Sequence, residues 1–316
     1  FWVTTLVILI MILLYTYEGG VKTIVWTDTL QTTFMLSGLV ICVVYLLNQM
    51  GMSFGDSISA MNEKGYSKIF FTNPESKFFF LKQILAGAFI TITMTGMDQE
   101  MMQKNISVKT LKDSQKNVLT LGVILMIVLM LFLFLGAVLL LFAEQQGITA
   151  VGDKLFPAIA LNHMPPIVSV IFIIALISAL FPSADGAITA LTSSFCIDII
   201  GMQRRTDMSD AEKKKLRQRV HLSFAALFLL LVMVYKWINE PSMIGVILKV
   251  AAYTYGPLLG LFTFGIITSR TVNDKLVPIV CIVAPVICFF IDKFQKQLFG
   301  SFEVGLELLI INGLLT

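Results

Sequence analysis

The chain has 316 residues, of which 57% are hydrophobic and only 14% charged, and its mean hydropathy is +0.86. A water-soluble domain has roughly a quarter of its residues charged, so this chain has too little polar surface to face water alone, and lipid must cover much of it. The net charge of +3 is spread over the segments between apolar runs, which gives no nucleic-acid-binding face.

In chain order, the apolar runs predict membrane-spanning helices over 1–17, 25–50, 79–102, 115–143, 164–199, 219–238, 242–269 and 276–292, with a ninth starting near 302. A span needs about 20 apolar residues, and both Asn117 to Ala143 and Met164 to Ala184 contain no charged residue. The runs are long and lack the two-residue alternation of strands. The expected class is therefore an all-α polytopic membrane protein. The chain opens at Phe1 inside one apolar run and stops at Thr316 inside another, so a part of a longer protein is expected. Four cysteines (Cys42, Cys196, Cys281, Cys288) sit in apolar runs without a CxxC pair, as buried thiols do.

Lysine and arginine in short loops set the orientation. Arg204, Arg205, Lys213, Lys214, Lys215, Arg217 and Arg219 fall in one loop, and Lys104, Lys109, Lys112 and Lys116 in another two spans earlier. Both are placed in the cytoplasm. The loop from Glu144 to His163, with Lys154 against Glu144 and Asp153, is placed outside. The loop from Met50 to Lys77 also falls outside by alternation, although it carries Lys64, Lys68 and Lys77. Ser209 to Arg219 reads as a short charged helix between spans that sets topology.

An ionisable residue inside a span is costly and therefore a candidate for function. Asp28 precedes Gln31 and Thr32 by three and four residues, on one helical face. That set suits a hard cation such as Na⁺, and it equally suits a helix N-cap. Asp98 follows Thr91 and Thr95 at i, i+4 and i+7, with Gly96 just before it. A broken helix would expose backbone groups there, while an ordinary helix end is the alternative.

The run 164–199 is about 36 residues, roughly 54 Å if straight. Pro182 inside it leaves the Ser178 carbonyl without its usual N–H partner. Ser178, Pro182, Asp185, Thr189 and Thr192 are spaced 4, 3, 4 and 3, a narrow face of oxygen ligands for which a cation site is the favoured reading over back-bonding and interhelical hydrogen bonds. Lys249, Tyr253 and Gly256 share a face ahead of Pro257, and Gly256 with Gly260 forms a small-residue pair for close packing. Lys249 could equally reach the interface. His163 and His221 read as single loop-side residues. No Walker A or HExxH motif occurs and no base is placed near Ser183, so no enzyme is expected.

Four stretches together resemble the sodium:solute symporter family, the sodium/glucose-cotransporter-like group. They are Tyr15 to Gln31 (YTYEGGVKTIVWTDTLQ), Gly96 to Asn105 (GMDQEMMQKN), Ser178 to Asp198 (SALFPSADGAITALTSSFCID) and Ala252 to Phe262 (AYTYGPLLGLF). The resemblance implies the leucine-transporter-type fold of two inverted five-helix repeats, incomplete at the N-terminus. Residues 1–50 would hold the last two helices of the first repeat, 51–78 an extracellular loop, 79–269 the second repeat and 270–316 additional helices.

The resemblance also implies residue roles. The sodium site common to the fold maps onto the Ala179 carbonyl and onto hydroxyl positions occupied by Pro182 and Ser183; Pro182 has no hydroxyl. A second sodium site maps onto Asp28, Asp185 and Gly186, with a carboxylate where a hydroxyl is usual. Asp185 is expected to compensate for the hydroxyl lost at Pro182. Thr95, Asp98, Gln99 and Tyr253 are expected along the solute path. The implied function is Na⁺-coupled import of a small organic solute, such as a sugar, sialic acid or amino acid, through the plasma membrane. A proton-coupled transporter of the same fold, or a non-transporting sensor or channel, are the alternatives.

Overall fold

Lipid offers no hydrogen-bond partners, so a backbone that crosses it must satisfy itself within helices. The structure is a computed structural model and describes residues 2–16, 21–238 and 242–316. All regular elements among them are helical. In order these are α1 (Trp2–Thr16), α2 (Val21–Met50), α3 (Phe54–Glu63), α4 (Phe80–Thr91), α5 (Gln99–Ile106), α6 (Leu111–Gln146), α7 (Leu155–Asn162), α8 (Pro166–Ser194), α9 (Asp210–Ile238), α10 (Met243–Ile267), α11 (Val277–Phe299) and α12 (Leu308–Leu315). Among the described residues six stretches are long and apolar enough to cross a membrane; they lie on α2, α6, on α8 with the turn after it, and on α9, α10 and α11.

The predicted helix over 79–102 is interrupted. Its α-helical part ends at Thr91, a wide π turn covers Ile92–Gly96, and Met97 leaves helical geometry at φ −108°, ψ 4°. The chain restarts as α5, with Asp98 as its cap: the Met101 amide donates to Asp98 Oδ1 at 2.9 Å. The π turn inserts a residue, so the stripe of Thr91, Thr95 and Asp98 counted at 3.6 residues per turn does not persist. The hydroxyl that is fully buried here is that of Thr93, which donates to Phe89 O at 2.9 Å.

The charged stretch Ser209 to Arg219 is also not a separate helix. It forms the first turns of α9, which runs unbroken from Asp210. Ser209 and Glu212 cap it reciprocally: the Glu212 amide donates to Ser209 Oγ at 3.3 Å and the Ser209 amide donates to Glu212 Oε2 at 2.9 Å. Ala, Glu, Lys, Leu, Arg and Gln are all good helix formers, so the run of charge ends the hydrophobic stretch without ending the helix. Thr110 and Asp113 start α6 in the same way, with the Asp113 amide donating to Thr110 Oγ1 at 3.1 Å. Between spans, α3 occupies part of the loop after α2, and α7 part of the loop after α6.

The chain divides into two compact units, Phe1–Glu63 with Gln103–Pro241, and Lys64–Met102 with Ser242–Thr316. In the first, α2 lies along α8 and α6, and Leu46, Val138, Phe142, Ile159 and Phe172 belong to one buried cluster. In the second, α10 is the centre, flanked by α11 and α12.

The α10–α12 contact explains three sequence features at once. Pro257 has no N–H to give to the Tyr253 carbonyl one turn back. Asn312 of α12, with no exposed surface, supplies it: Nδ2 donates to Tyr253 O at 2.8 Å and to Ala252 O at 3.0 Å. Gly256 makes room, since a Cβ there would run into the Asn312 side chain, and a Cβ at Gly260 would run into the Gly313 carbonyl and Thr316. Gly256→Leu is therefore expected to destabilise the protein by about 3 kcal/mol through overpacking, and Asn312→Ala by about 1–2 kcal/mol through the lost interhelical bonds. Gly265→Leu, where a Cβ meets nothing within 4 Å, should change little; thermal unfolding in detergent measures all three.

Candidate functional site

The oxygen-bearing face of α8 turns inward over most of its length. Asp185 is 2% exposed, Thr192 3% and Ser178 9%. Thr189 Oγ1 donates to Asp185 Oδ1 at 3.2 Å. Thr192 Oγ1 donates to Ile188 O at 2.7 Å. Thr189 thus orients a carboxylate held out of water, where an ionised acid persists only beside compensating charge or hydrogen bonds.

Asp28 is half-buried on α2. It comes seven residues after Val21, the start of that helix, beyond the first turn where capping operates. The N-cap alternative is thereby removed. Gln31 is half-buried with it, whereas Thr32 is exposed.

The crossing of α2 and α8 relates the two acids. A Cβ on Gly38 would come within 2.6 Å of Ala175 Cβ, so the helices touch almost backbone to backbone there. A largely apolar cavity of about 380 Å³ is lined by Met35, Gly38, Cys42, Phe172, Ala175 and Ala179, among others, and beyond the crossing Leu46 and Leu47 near the end of α2 share a buried cluster with Met164 and Val168 at the start of α8, so the pair is antiparallel. Ten residues from Gly38 lies Asp28, and ten from Ala175 lies Asp185. Each is about 15 Å along its own helix from that contact, on the same side of it in the antiparallel pair.

The other expected sodium ligands divide. Ser183 is exposed, and its Oγ reaches Ala179 O at 3.5 Å, a long contact that pairs two members of the set on one turn. Asp185 lies about 200° round the helix from Ser183, so these two do not converge. The side chain of Pro182 lies outside the described residues; its backbone continues the helix. Gly186 is buried.

In the second unit, Asp98 caps α5, Thr95 is half-buried and Gln99 is exposed. Tyr253 OH donates to Asp292 Oδ2 at 2.7 Å, and Lys249 Nζ pairs with the same oxygen at 2.7 Å. The Lys249 ammonium is therefore matched by a carboxylate on α11. Met97 and Tyr253 pack against the same buried cluster as Leu259 and Cys288, which brings the break after α4 against α10.

Sequence reasoning missed three of these residues. The apolar run predicts a span ending at Asp292, whereas α11 continues to Phe299. Asn312 gave no signal beyond an amide in an apolar run. His221 is not loop-side: it lies on α9, 9% exposed, with Nδ1 3.3 Å from Thr192 Oγ1. The unbroken helix-forming composition from Asp210 onward was the available clue.

Long apolar helices, an interrupted α4, close glycine crossings and acids within apolar runs are features that secondary transporters use to build their sites. The sodium:solute symporter family model matches residues 2–275, and the chain belongs to that family. It is 23% identical to the sodium/sialic acid symporter SiaT of Proteus mirabilis (strain HI4320), over 98% of this chain and 64% of the relative. It is 25% identical to the sodium/pantothenate symporter of Haemophilus influenzae, over 73% and 46%, and 24% identical to the sodium-coupled monocarboxylate transporter 1 of Mus musculus, over 80% and 42%. A solved structure of a substrate-bound, outward-open Na⁺-coupled sialic acid symporter superposes with a TM-score of 0.77 at 17% identity, covering 99% of this chain and 64% of that one. The fold is thus the leucine-transporter type, and the chain spans less than two thirds of the length of these relatives.

The antiparallel register predicts a cross-link. With the native cysteines replaced, Asp28→Cys and Asp185→Cys should be joined by a short bifunctional thiol reagent, while Asp28→Cys and Ser178→Cys, offset by about 10 Å along the axis, should not. Gel mobility after reaction reads the outcome, and the reverse pattern would refute the register.

Proposed function

We propose that this chain carries the ion-coupling helices of a plasma-membrane symporter that uses Na⁺ to import a small organic anion by alternating access. The feature that supports it most is the pair of acids, Asp185 buried on α8 and Asp28 on α2, each ten residues from the Gly38–Ala175 contact. The oxygens of Asp28, Asp185 and Thr189 form one candidate Na⁺ position, and Ala179 O with Ser183 Oγ contributes to another. Residues 1–50 act as the last two helices of the first inverted repeat and 79–269 as the second. Asp98, Gln99, Thr95 and Tyr253 belong to the solute path, with Tyr253 held by Asp292.

The relatives support an anionic solute by their names, which are for sialic acid, pantothenate, monocarboxylates and iodide. All are anions at neutral pH. Against an inward-negative potential an entering monoanion is opposed by about 2.3 kcal/mol per 100 mV, and one Na⁺ only cancels that. Voltage drives uptake only if a second Na⁺ enters, which suits two cation positions on α8.

A proton-coupled reading draws on one observation, the carboxylate of Asp185 where the family pattern has a hydroxyl. The two separate in proteoliposomes holding the reconstituted protein. Replacing external Na⁺ by choline at constant pH should abolish accumulation of a labelled anion such as sialic acid, and Asp185→Ala should remove Na⁺ stimulation, by tenfold or more where a coupling ligand is lost. Uptake that persists in choline and follows a pH gradient supports the proton instead. Unchanged Na⁺ dependence in Asp185→Ala would overturn its assignment as a ligand.

A further inference from the structure

The cationic start of α9 stands at a fixed depth in the bilayer. Lys215 and Arg219 are one turn apart, and Leu230 and Trp237 follow eleven and eighteen residues after Arg219 on the same helix. Those steps are close to three and five whole turns, so the four share one stripe. Its apolar part is open: Leu230 is 58% and Trp237 72% exposed. Tryptophan favours the membrane–water interface. With Trp237 at the outer interface, Arg219 lies about 27 Å away along the axis, which matches about 30 Å of hydrocarbon. Arg219 therefore sits at the inner interface, and Lys215 about 6 Å beyond it, within the headgroup layer.

Lys214, Lys215, Arg217 and Arg219 are exposed, and Lys213 precedes them. The acids of this segment, Asp210 and Glu212, lie in the first turn, where Glu212 is engaged by Ser209. Below Arg219 the helix thus presents an almost purely cationic surface, held rigid by its continuity with the span. A loop that merely sets topology needs neither the helix nor the alignment with a lipid-facing stripe.

We propose that the Lys215–Arg219 stripe of α9 binds anionic phospholipid headgroups of the cytoplasmic leaflet. Charge complementarity at headgroup depth selects this partner, each Lys or Arg near such a surface contributing about 1 kcal/mol, or about a fivefold preference. The binding is independent of which solute is carried.

The test uses the protein, with its native cysteines replaced and a bimane fluorophore at Leu222→Cys one turn above Arg219, in phosphatidylcholine vesicles. Spin-labelled phosphatidylglycerol should quench the fluorophore more strongly than spin-labelled phosphatidylcholine, and salt should reduce the difference. Lys215→Gln with Arg219→Gln should lower the preference about fivefold per cation. Lys215→Arg with Arg219→Lys should keep it, as should Arg204→Gln with Arg205→Gln, which removes the same charge from the preceding loop. Equal quenching by both lipids, or equal losses in the two glutamine pairs, would overturn the proposal.

Discussion

Two helices in lipid have no hydrophobic reason to adhere, because the lipid tails are as apolar as the side chains. What holds them is close backbone approach and the satisfaction of polar groups that no water can reach. The α10–α12 contact shows both: Pro257 removes a donor, Gly256 opens a slot, and Asn312 fills it with an amide aimed at the Tyr253 and Ala252 carbonyls. Gly38 against Ala175 gives α2 and α8 a similarly close approach. The remaining architecture depends on these few places, since the long apolar surfaces between them discriminate poorly between partners.

The same constraint gives each intramembrane charge a partner or a purpose. Lys249, Tyr253 and Asp292 close on one another across α10 and α11, and Gln295 Nε2 adds a donor to Asp292 Oδ1 at 3.3 Å. That set is internally matched and reads as a fastening of α10. The α8 face differs. Its one carboxylate is buried and receives a hydroxyl from Thr189, and Asp28 is carried by the neighbouring helix α2. Acids brought together in low dielectric repel unless positive charge lies between them or one is protonated, and this is the face on which the proposed cation would act.

Charge also fixes the depth of the molecule. The helix-forming composition of Asp210 to Arg219 lets α9 extend out of the hydrocarbon without a break, so topology-setting cations become a rigid surface at the headgroups. His221 stands just above them and shares a hydrogen bond with Thr192, joining the inner end of α9 to the oxygen-bearing face of α8.

Much of this protein could be read from the residues alone. Length and apolar density determined that the chain crosses the membrane as helices, because a span needs a run that only bilayer thickness explains. The four ordered motifs identified the family, and the 4, 3, 4, 3 spacing on α8 marked its polar face, because helical periodicity is a local property. Three things required the tertiary structure. The π turn at Ile92–Gly96 shifted which threonine is buried, and no local count anticipates an inserted residue. Asp292 and Asn312 became meaningful only beside Lys249, Tyr253 and the Pro257 gap, partners tens of residues distant in sequence. The relation of Asp28 to Asp185 depends on the Gly38–Ala175 crossing: a single helix can say which way an acid points, and only the packing of two can say what it meets.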